Sequence, residues 1–280
     1  MPTATCPICS AYGPDRWKEH GRSYLFCRNC HLLWRAEGAS LDDTTVFYRN
    51  DNPTEAIGEA KKSLYGWMLN EAERRLRKPG RLLDVGCSRG DFLLAARERG
   101  WDVTGIDPVP ELVKWGSDKG LDIYEGVLAN LPDDIGQFDL VTYWDVILLV
   151  EDPLAEMLAV KKLLAPHGRL FMRLRQHAVV RAMDRAWRMG GRLLLKTNPS
   201  VYHPFNYEPR TLRILGERSG FHFELAPSQL TAGDPYSVGK KPRLVGRLKK
   251  AADITSSALF SLSNEKLVLS PSMVVWGKPL

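Results

Sequence analysis

The sequence predicts an α/β protein with a doubly wound, mostly parallel sheet, preceded by a small metal-binding module. From residue 81 onward, short apolar runs of strand length alternate with amphipathic runs of helix length. That alternation is typical of parallel strands joined by right-handed crossovers. Before residue 39, two Cys-x-x-Cys pairs lie among turn residues and short aromatic runs. We therefore divide the chain into a ribbon over residues 1–38, a connector over 39–53 and an α/β domain over 54–280.

Composition places the chain among ordinary globular proteins. Of its 280 residues 44% are apolar, and the net charge is +6. The first residues lack the basic-then-apolar pattern of a secretion signal, and no run of about 18 apolar residues occurs. We therefore expect a cytoplasmic protein without a transmembrane segment. So modest a net charge is weak support for a nucleic-acid or membrane partner.

The four cysteines near the start have the spacing of a zinc ribbon. Cys6 and Cys9 form one Cys-x-x-Cys pair and Cys27 and Cys30 form the second, which together offer a closed tetrahedral shell of thiolates. A filled shell predicts a structural zinc ion that supplies folding energy to the ribbon. Unrelated thiols or two disulfides are the alternative, and His31 could replace one thiolate.

The remaining elements follow in chain order. A helix is predicted over 54–78, ending at Lys-Pro-Gly, with further helices at 91–99, 109–118 and 152–164. Strands are predicted at 81–85, 102–106, 121–124, 138–143, 168–174 and 273–278.

Two insertions, at about 176–200 and 227–270, lie where such folds build substrate specificity. The first predicts a helical lid. The second contains a basic amphipathic stretch, 240–262, which is either a helix with a solvated face or a contact for a membrane, a partner or an anionic substrate.

The stretch LLDVGCSRGDF over 82–92 carries the chemistry, and three functions compete for it. A dinucleotide fingerprint would need glycines where Ser88 and Asp91 stand, so only Gly86 fits. A serine-hydrolase elbow matches Gly86 to Gly90 with Ser88 as nucleophile, but no oxyanion-type segment precedes it. The third function is binding of S-adenosylmethionine.

Several motifs in order favour the third function. Asp84, Gly86 and Gly90 match D-x-G-x-G-x-G with only Ser88 departing, and VTGIDP ends the next strand in Asp107. Three later segments add to this: GVLANLP at 126–132, the stretch beginning FDLVTYWDV at 138–174 and the stretch beginning YHPFNYEPRTL at 202–221. With them, residues of about 55–225 resemble the class I S-adenosylmethionine-dependent methyltransferases. With the ribbon in front of this region, the chain is similar to members that carry an N-terminal Cys-x-x-Cys pair.

The resemblance implies a seven-stranded, Rossmann-like methyltransferase sheet and S-adenosylmethionine as cofactor. The cofactor-binding residues it implies are Asp84, Gly86, Cys87, Ser88, Gly90, Asp107, Pro108, Val127, Leu128, Trp144 and Asp145. The Asp107 carboxylate at a strand end suits two ribose hydroxyls. Asp107 and Asp145 could each instead cap the turn that follows.

The catalytic base does not transfer from the relatives. Leu148 and Leu149 stand where many of them have a Glu-His pair. His203 and Asp145 are the candidates from this sequence, with His177 as a further histidine. The predicted acceptor is a small molecule, through a hydroxyl or carbon of a secondary metabolite, sugar or quinone- or lipid-like compound.

An RNA-directed enzyme that grips phosphates through the ribbon and the basic segments is the alternative. The modest net charge and the sequence YWDVIL in place of an Asn-Pro-Pro-Tyr motif argue against it. Oligomeric state is not predicted.

Overall fold

The computed structural model describes two sheets and the helices around them. It covers residues 5–19, 21–39, 54–190, 203–228, 251, 254–263 and 267–280. Among these residues, no helix combines the length and apolarity needed to cross a membrane.

The larger sheet has seven strands in the order β10-β11-β8-β7-β4-β5-β6. Its strands are β4 (Arg81–Val85), β5 (Asp102–Asp107), β6 (Asp122–Glu125), β7 (Phe138–Trp144), β8 (Leu164–Arg175), β10 (Phe221–Pro227) and β11 (Ser272–Pro279). Five neighbouring strands, β6 to β8 in spatial order, are parallel, and β11 is antiparallel to both β8 and β10. The predicted seven-stranded, mostly parallel sheet is confirmed.

The strand order reverses direction beside β4, which pairs with β5 on one side and β7 on the other. In open α/β sheets such a switch point leaves a crevice at the carboxyl ends of the strands, where ligands bind. The turns after β4, β5 and β7 therefore meet at one edge of the sheet.

Helices cover both faces of this sheet. They are α1 (Thr54–Leu76), α2 (Asp91–Arg97), α3 (Pro110–Ser117), α4 (Pro153–Leu163), α5 (His177–Met189) and α6 (Pro209–Ser219). The alternation of side chains along a strand divides the core between the two faces. On β7, Val141 and Tyr143 pack with α4 and α6, whereas Leu140 and Trp144 pack with α1 and α2.

The smaller sheet has four strands, in the order β1-β2-β3-β9. β1 (Asp15–Glu19), β2 (Arg22–Phe26) and β3 (Leu33–Arg35) form the antiparallel ribbon, and β9 (Phe205–Asn206) comes from the far side of the chain. Trp34 pairs with Phe205, and the Asn206 side chain donates to the Leu33 carbonyl. This fourth strand was not predicted from the sequence.

Helix α6 is hydrogen-bonded to the ribbon. The Thr211 hydroxyl donates to the Cys30 carbonyl oxygen at 2.8 Å, and Arg218 Nη1 donates to the Ile8 carbonyl oxygen at 2.7 Å. His31 Nδ1 lies 3.0 Å from a carboxylate oxygen of Glu208. The ribbon is thus joined to the α/β domain through the pairing of β3 with β9 and the hydrogen bonds to α6. The proposed division at residues 38 and 53 stays a prediction.

The two insertions are only partly described. The first begins with α5, in which Val180 is buried, Val179, Met183 and Trp187 are half-buried and Ala186 is exposed; the rest of that insertion, from 191, lies outside the described residues. In the second, 229–250 lie outside them as well. Residues 254–262 are helical and expose Ile254 and Leu262.

Candidate active site and metal centre

The turn from Gly86 to Gly90 follows β4 at the switch point. The backbone N–H of Gly86 donates to the Ile106 carbonyl at 2.8 Å, which ties the turn to β5. Gly86 has φ +69°, and a Cβ there would meet a Val146 methyl at 2.4 Å. Ser88 departs from the family's glycine yet also has a positive φ, +54°. The turn therefore presents mostly backbone at the crevice, as a close ligand contact requires.

Asp84 is buried under that turn. Its carboxylate oxygen Oδ1 accepts a hydrogen bond from the Thr142 hydroxyl at 2.6 Å, and the residue is 2% exposed. Burial raises the pKa of Asp84 to about 8, although the Thr142 hydrogen bond and the Lys61 charge oppose the rise. The Asp84 carboxyl is thus held at the end of β4 by the Thr142 hydroxyl of the neighbouring strand β7.

Asp107 ends β5 beside the same turn. One carboxylate oxygen accepts the Ser88 N–H at 2.8 Å and the other accepts the Val109 N–H at 3.0 Å. Burial raises the pKa of Asp107 to about 6. A carboxylate has about four lone-pair sites, so two remain for the ribose hydroxyls that the sequence predicts. The N-cap of α3 is Val109 rather than Asp107.

The predicted adenine-side residues follow β6. Val127 is 38% exposed, and its N–H donates to the Asn130 side chain at 2.8 Å. Leu128 is buried and starts a short 3-10 helix. Cys87 is buried against Gly105, and Pro108 is half-buried in the turn after β5.

Trp144 and Asp145 close the crevice at the end of β7. The Trp144 ring packs against Tyr65, Phe92 and Phe171, with centroids 4.9 to 5.1 Å away. Asp145 adopts φ +64° and accepts from Lys61 Nζ at 3.3 Å and from Arg173 Nη1. The Asp145 side chain is therefore part of an ion cluster rather than a turn cap.

Electrostatics keep Asp145 ionised. Burial alone would raise its pKa, but the charges of Arg173 and Lys61 lower the pKa to about 2. Its second oxygen, Oδ1, is buried and has no hydrogen-bond partner in the described structure. An unpartnered buried acceptor is costly, and a cofactor ammonium or an acceptor hydroxyl would satisfy it. The residues present therefore fit S-adenosylmethionine.

Sequence reasoning missed the cations of this cluster. Lys61 lies on α1. Burial lowers the pKa of Lys61, and the negative charge of Asp145 opposes this change. Arg173 and Arg175 lie two residues apart near the end of β8, within the otherwise apolar run LFMRLR. A basic pair in a buried strand was the available signal, because charged side chains rarely enter a strand of this kind without a role.

The two candidate histidines differ in position. His203 directly precedes β9, and its N–H donates to Asn206 Oδ1 at 3.0 Å. Burial, then Arg175 and Arg35, lower the pKa of His203 to about 4 while Asp145 opposes them. His177 begins α5 and is buried; burial and Arg181 lower its pKa to about 3.

Leu148, the first residue of the apolar pair, supports the β9 segment. The Leu148 carbonyl accepts the Phe205 N–H at 3.0 Å, and the Leu148 side chain is buried. Ser88, the hydrolase candidate, uses its N–H on Asp107, and no imidazole is among its hydrogen-bond partners in the described ranges.

The four ribbon cysteines converge on one point. All four Sγ atoms lie within 4.8 Å of one another, with Cys6 to Cys30 at 3.4 Å and Cys9 to Cys27 at 3.5 Å. Tetrahedral zinc with bonds of about 2.3 Å requires sulfur separations of roughly 3.8 Å. All four cysteines are free thiols. The cluster fits zinc and does not fit two disulfides.

Known proteins resemble this chain over its α/β part. A family model described as a methyltransferase domain matches residues 59–224, more than half of the chain. The ubiquinone biosynthesis O-methyltransferase of Xanthomonas campestris pv. campestris (strain B100) is 37% identical over 115 residues, 37% of this chain and 47% of that protein. The protein of the same name from Xylella fastidiosa (strain M23) is 30% identical over 169 residues, which cover 56% of this chain and 67% of that protein. The chain thus spans about half the length of the first of these relatives.

A solved structure agrees on the fold. The plantazolicin methyltransferase BpumL, in complex with a pentazolic desmethylPZN analog and SAH, has a TM-score of 0.52 at 13% identity and covers 85% of this chain and 90% of its own. The family match includes the glycine turn and the strands on either side of it. The chain belongs to the class I S-adenosylmethionine-dependent methyltransferases that its motifs resemble.

Proposed function

We propose that this chain transfers a methyl group from S-adenosylmethionine to a hydroxyl or carbon of a small molecule. One observation carries the proposal: the glycine turn, Asp107 and the unpartnered oxygen of Asp145 meet at the carboxyl ends of β4, β5 and β7. The names of the curated relatives, which are O-methyltransferases of ubiquinone biosynthesis, support a hydroxyl acceptor.

Most of the predicted cofactor residues have a role in this proposal. The backbone of Gly86, Ser88 and Gly90 lies along the methionine part and the ribose, and Asp107 accepts the ribose hydroxyls. Asp145 Oδ1 accepts a hydrogen bond from the cofactor's ammonium group, and Val127 and Leu128 flank the adenine. The cofactor supplies a methyl group on a sulfonium sulfur that an acceptor atom displaces in line.

The protein's own contribution is to place the acceptor and exclude water. Trp144, Tyr65, Phe92 and Phe171 form an aromatic wall below the crevice. His203 is the proposed base: a pKa lowered to about 4 leaves its imidazole neutral at pH 7 and able to accept a proton. The same shift makes it a weak base, because general-base catalysis is most efficient when the pKa lies near the working pH.

We propose in addition that Cys6, Cys9, Cys27 and Cys30 hold a structural zinc ion. The four sulfurs fill a tetrahedral shell, which leaves no open position for chemistry. The ion then stabilises the ribbon, whose strands are three to five residues long.

Calorimetric titration of zinc-loaded protein with S-adenosylmethionine and S-adenosylhomocysteine tests the cofactor assignment. We expect micromolar binding of both. Asp107→Ala and the more conservative Asp107→Asn should weaken it at least tenfold, since charge-assisted hydrogen bonds to the ribose are lost. Asp102→Ala is the matched control, because Asp102 begins the same strand at its opposite end and is 75% exposed.

Absence of binding in folded, zinc-loaded protein would refute the proposal. Attention would then return to Ser88, which an active-site serine probe would label if it were a nucleophile.

A further inference from the structure

The acceptor side of the crevice is basic. We propose that the methyl acceptor carries an anionic group, a carboxylate or a phosphate, and that Arg175 of β8 and Arg35 of the zinc ribbon bind it. This inference rests on the proposed function and names the substrate class of that same site.

Strand order separates the two halves of the crevice. The predicted cofactor contacts follow β4, β5, β6 and β7, whereas Arg173 and Arg175 end β8, on the opposite side of β7. Neighbouring strands are about 4.8 Å apart, so β8 and β5 are separated by roughly 14 Å. The β8 arginines therefore lie toward the acceptor rather than toward the ribose.

The ribbon lies near the end of β8 because both contact the β9 segment. The Arg35 N–H donates to the Pro204 carbonyl at 2.8 Å, next to His203. On the other side, Gln176 bridges to Tyr207 in parallel, directly after Arg175. The segment from His203 to Tyr207 thus passes between the backbone of the ribbon and the end of β8.

The charges around His203 agree with this backbone arrangement. Arg175 and Arg35 both act on the charge of the His203 imidazole, and Arg175 also acts on Asp145. Both arginines are half-buried. Each guanidinium carries a positive charge and five N–H donors.

The neighbouring charges favour an anion at this position. Lys61 and Arg173 bring two positive charges to one carboxylate, Asp145, and both contact the same oxygen. The Nε of Arg173 is buried and has no partner in the described structure. Planar, forked donors are suited to bidentate contact with carboxylate or phosphate.

A bound anion would also act on the proposed base. The cations that keep the His203 imidazole a weak base would be neutralised in part, so its pKa would rise toward the working range. Burial and Asp145 would act on it unchanged. The acceptor would then help to prepare the group that takes its proton.

The test uses the full-length, zinc-loaded protein saturated with S-adenosylhomocysteine. Inorganic phosphate and benzoate are titrated separately at constant ionic strength, with calorimetry as the readout. We expect saturable binding of at least one probe. Arg175→Gln and Arg35→Gln should each weaken that binding about tenfold and leave the affinity for S-adenosylhomocysteine within twofold of wild type.

Arg28→Gln is the matched control. Arg28 lies on the ribbon but its side chain is 82% exposed and pairs with Asp15, so both affinities should stay unchanged. Preference for phosphate or for benzoate identifies the anionic group. Nuclear magnetic resonance can follow the protonation of the His203 imidazole with and without the anion. We expect the bound anion to raise the imidazole's proton affinity about fivefold. Arginines with a purely structural role would not produce this change.

Three results would overturn the inference: no saturable binding of either probe, equal binding by the arginine variants, or parallel loss of S-adenosylhomocysteine. The last would place the arginines on the carboxylate of the cofactor. If wild type fails to bind S-adenosylhomocysteine, the proposed function fails, and the same titrations on the free protein still decide whether the anion site exists.

Discussion

Replacing Asp84 by asparagine should change how stability depends on pH. In Asp84→Asn the amide oxygen can still accept the Thr142 hydroxyl, which lies 2.6 Å from the carboxylate oxygen, but the side chain no longer titrates. Burial raises the pKa of Asp84 from 3.8 to about 8. A raised carboxyl pKa favours the protonated form in the native state, so its stabilising contribution is present at low pH and is lost as pH rises through this window.

The magnitude follows from proton linkage. Between pH 5 and 7 the native state of wild type holds about one more proton at Asp84 than the unfolded state, which lowers the free energy of unfolding by about 1.4 kcal/mol per pH unit. The variant lacks this dependence. The free energy of unfolding of wild type, minus that of Asp84→Asn, should therefore fall by about 3 kcal/mol from pH 5 to pH 7. His177 and His203 titrate in the opposite sense, but they do so in both proteins and cancel.

Urea unfolding at pH 5, 6 and 7, followed by tryptophan fluorescence, measures this difference from the midpoints and slopes. Asp102→Asn removes a carboxylate that is 75% exposed and should run parallel to wild type. If the wild-type and Asp84→Asn curves also stay parallel within about 0.5 kcal/mol, a level below the expected linkage, the assigned protonation of Asp84 is wrong.

Three further outcomes are expected. Cys30→Ser should lower bound zinc below one ion per chain by elemental analysis and lower the melting temperature, whereas Cys87→Ser, outside the cluster, should keep the ion. Gly86→Ala should weaken S-adenosylhomocysteine binding at least tenfold, because its Cβ would overlap a valine methyl at 2.4 Å; Gly100→Ala, with a similar φ but nothing within 4 Å, should bind normally. Thr211→Val should cost about 1–3 kcal/mol of unfolding free energy in urea, because the Cys30 carbonyl loses its donor; an unchanged midpoint would show that α6 does not hold the ribbon through this bond.

Local patterns were sufficient for six of the seven strands of the main sheet, and only the edge strand Phe221–Pro227 was given no predicted range. Runs such as RLLDV and FDLVTYW are short, apolar and bounded by turn residues, and the structure has strands at Arg81–Val85 and Phe138–Trp144. The helix predicted over 152–164 is observed at Pro153–Leu163, where the Asp152 side chain caps it. The spacing of the four cysteines was also enough to predict that they form one cluster.

Long-range pairing could not be predicted in the same way. β9 has two residues, too few for a period, and its partner β3 lies far away in the chain. The cluster of Lys61, Asp145 and Arg173 likewise joins three elements whose neighbourhood depends on the finished sheet. Acceptor-side residues are of this second kind, which is why the cofactor motifs were visible in the sequence and the arginines were not.

The pairing of β3 with β9 also has a consequence for biosynthesis. Strands β1 to β3 leave the ribosome before β9 does. The Thr211 hydroxyl that contacts Cys30, 181 residues along the chain, also emerges much later. At 5–20 residues per second the delay is on the order of 10–40 s. During that time the cysteines can be exposed to other metals and to oxidation, and metal bound early would protect the nascent ribbon. Zinc availability during translation, rather than after it, would then set the yield of folded protein.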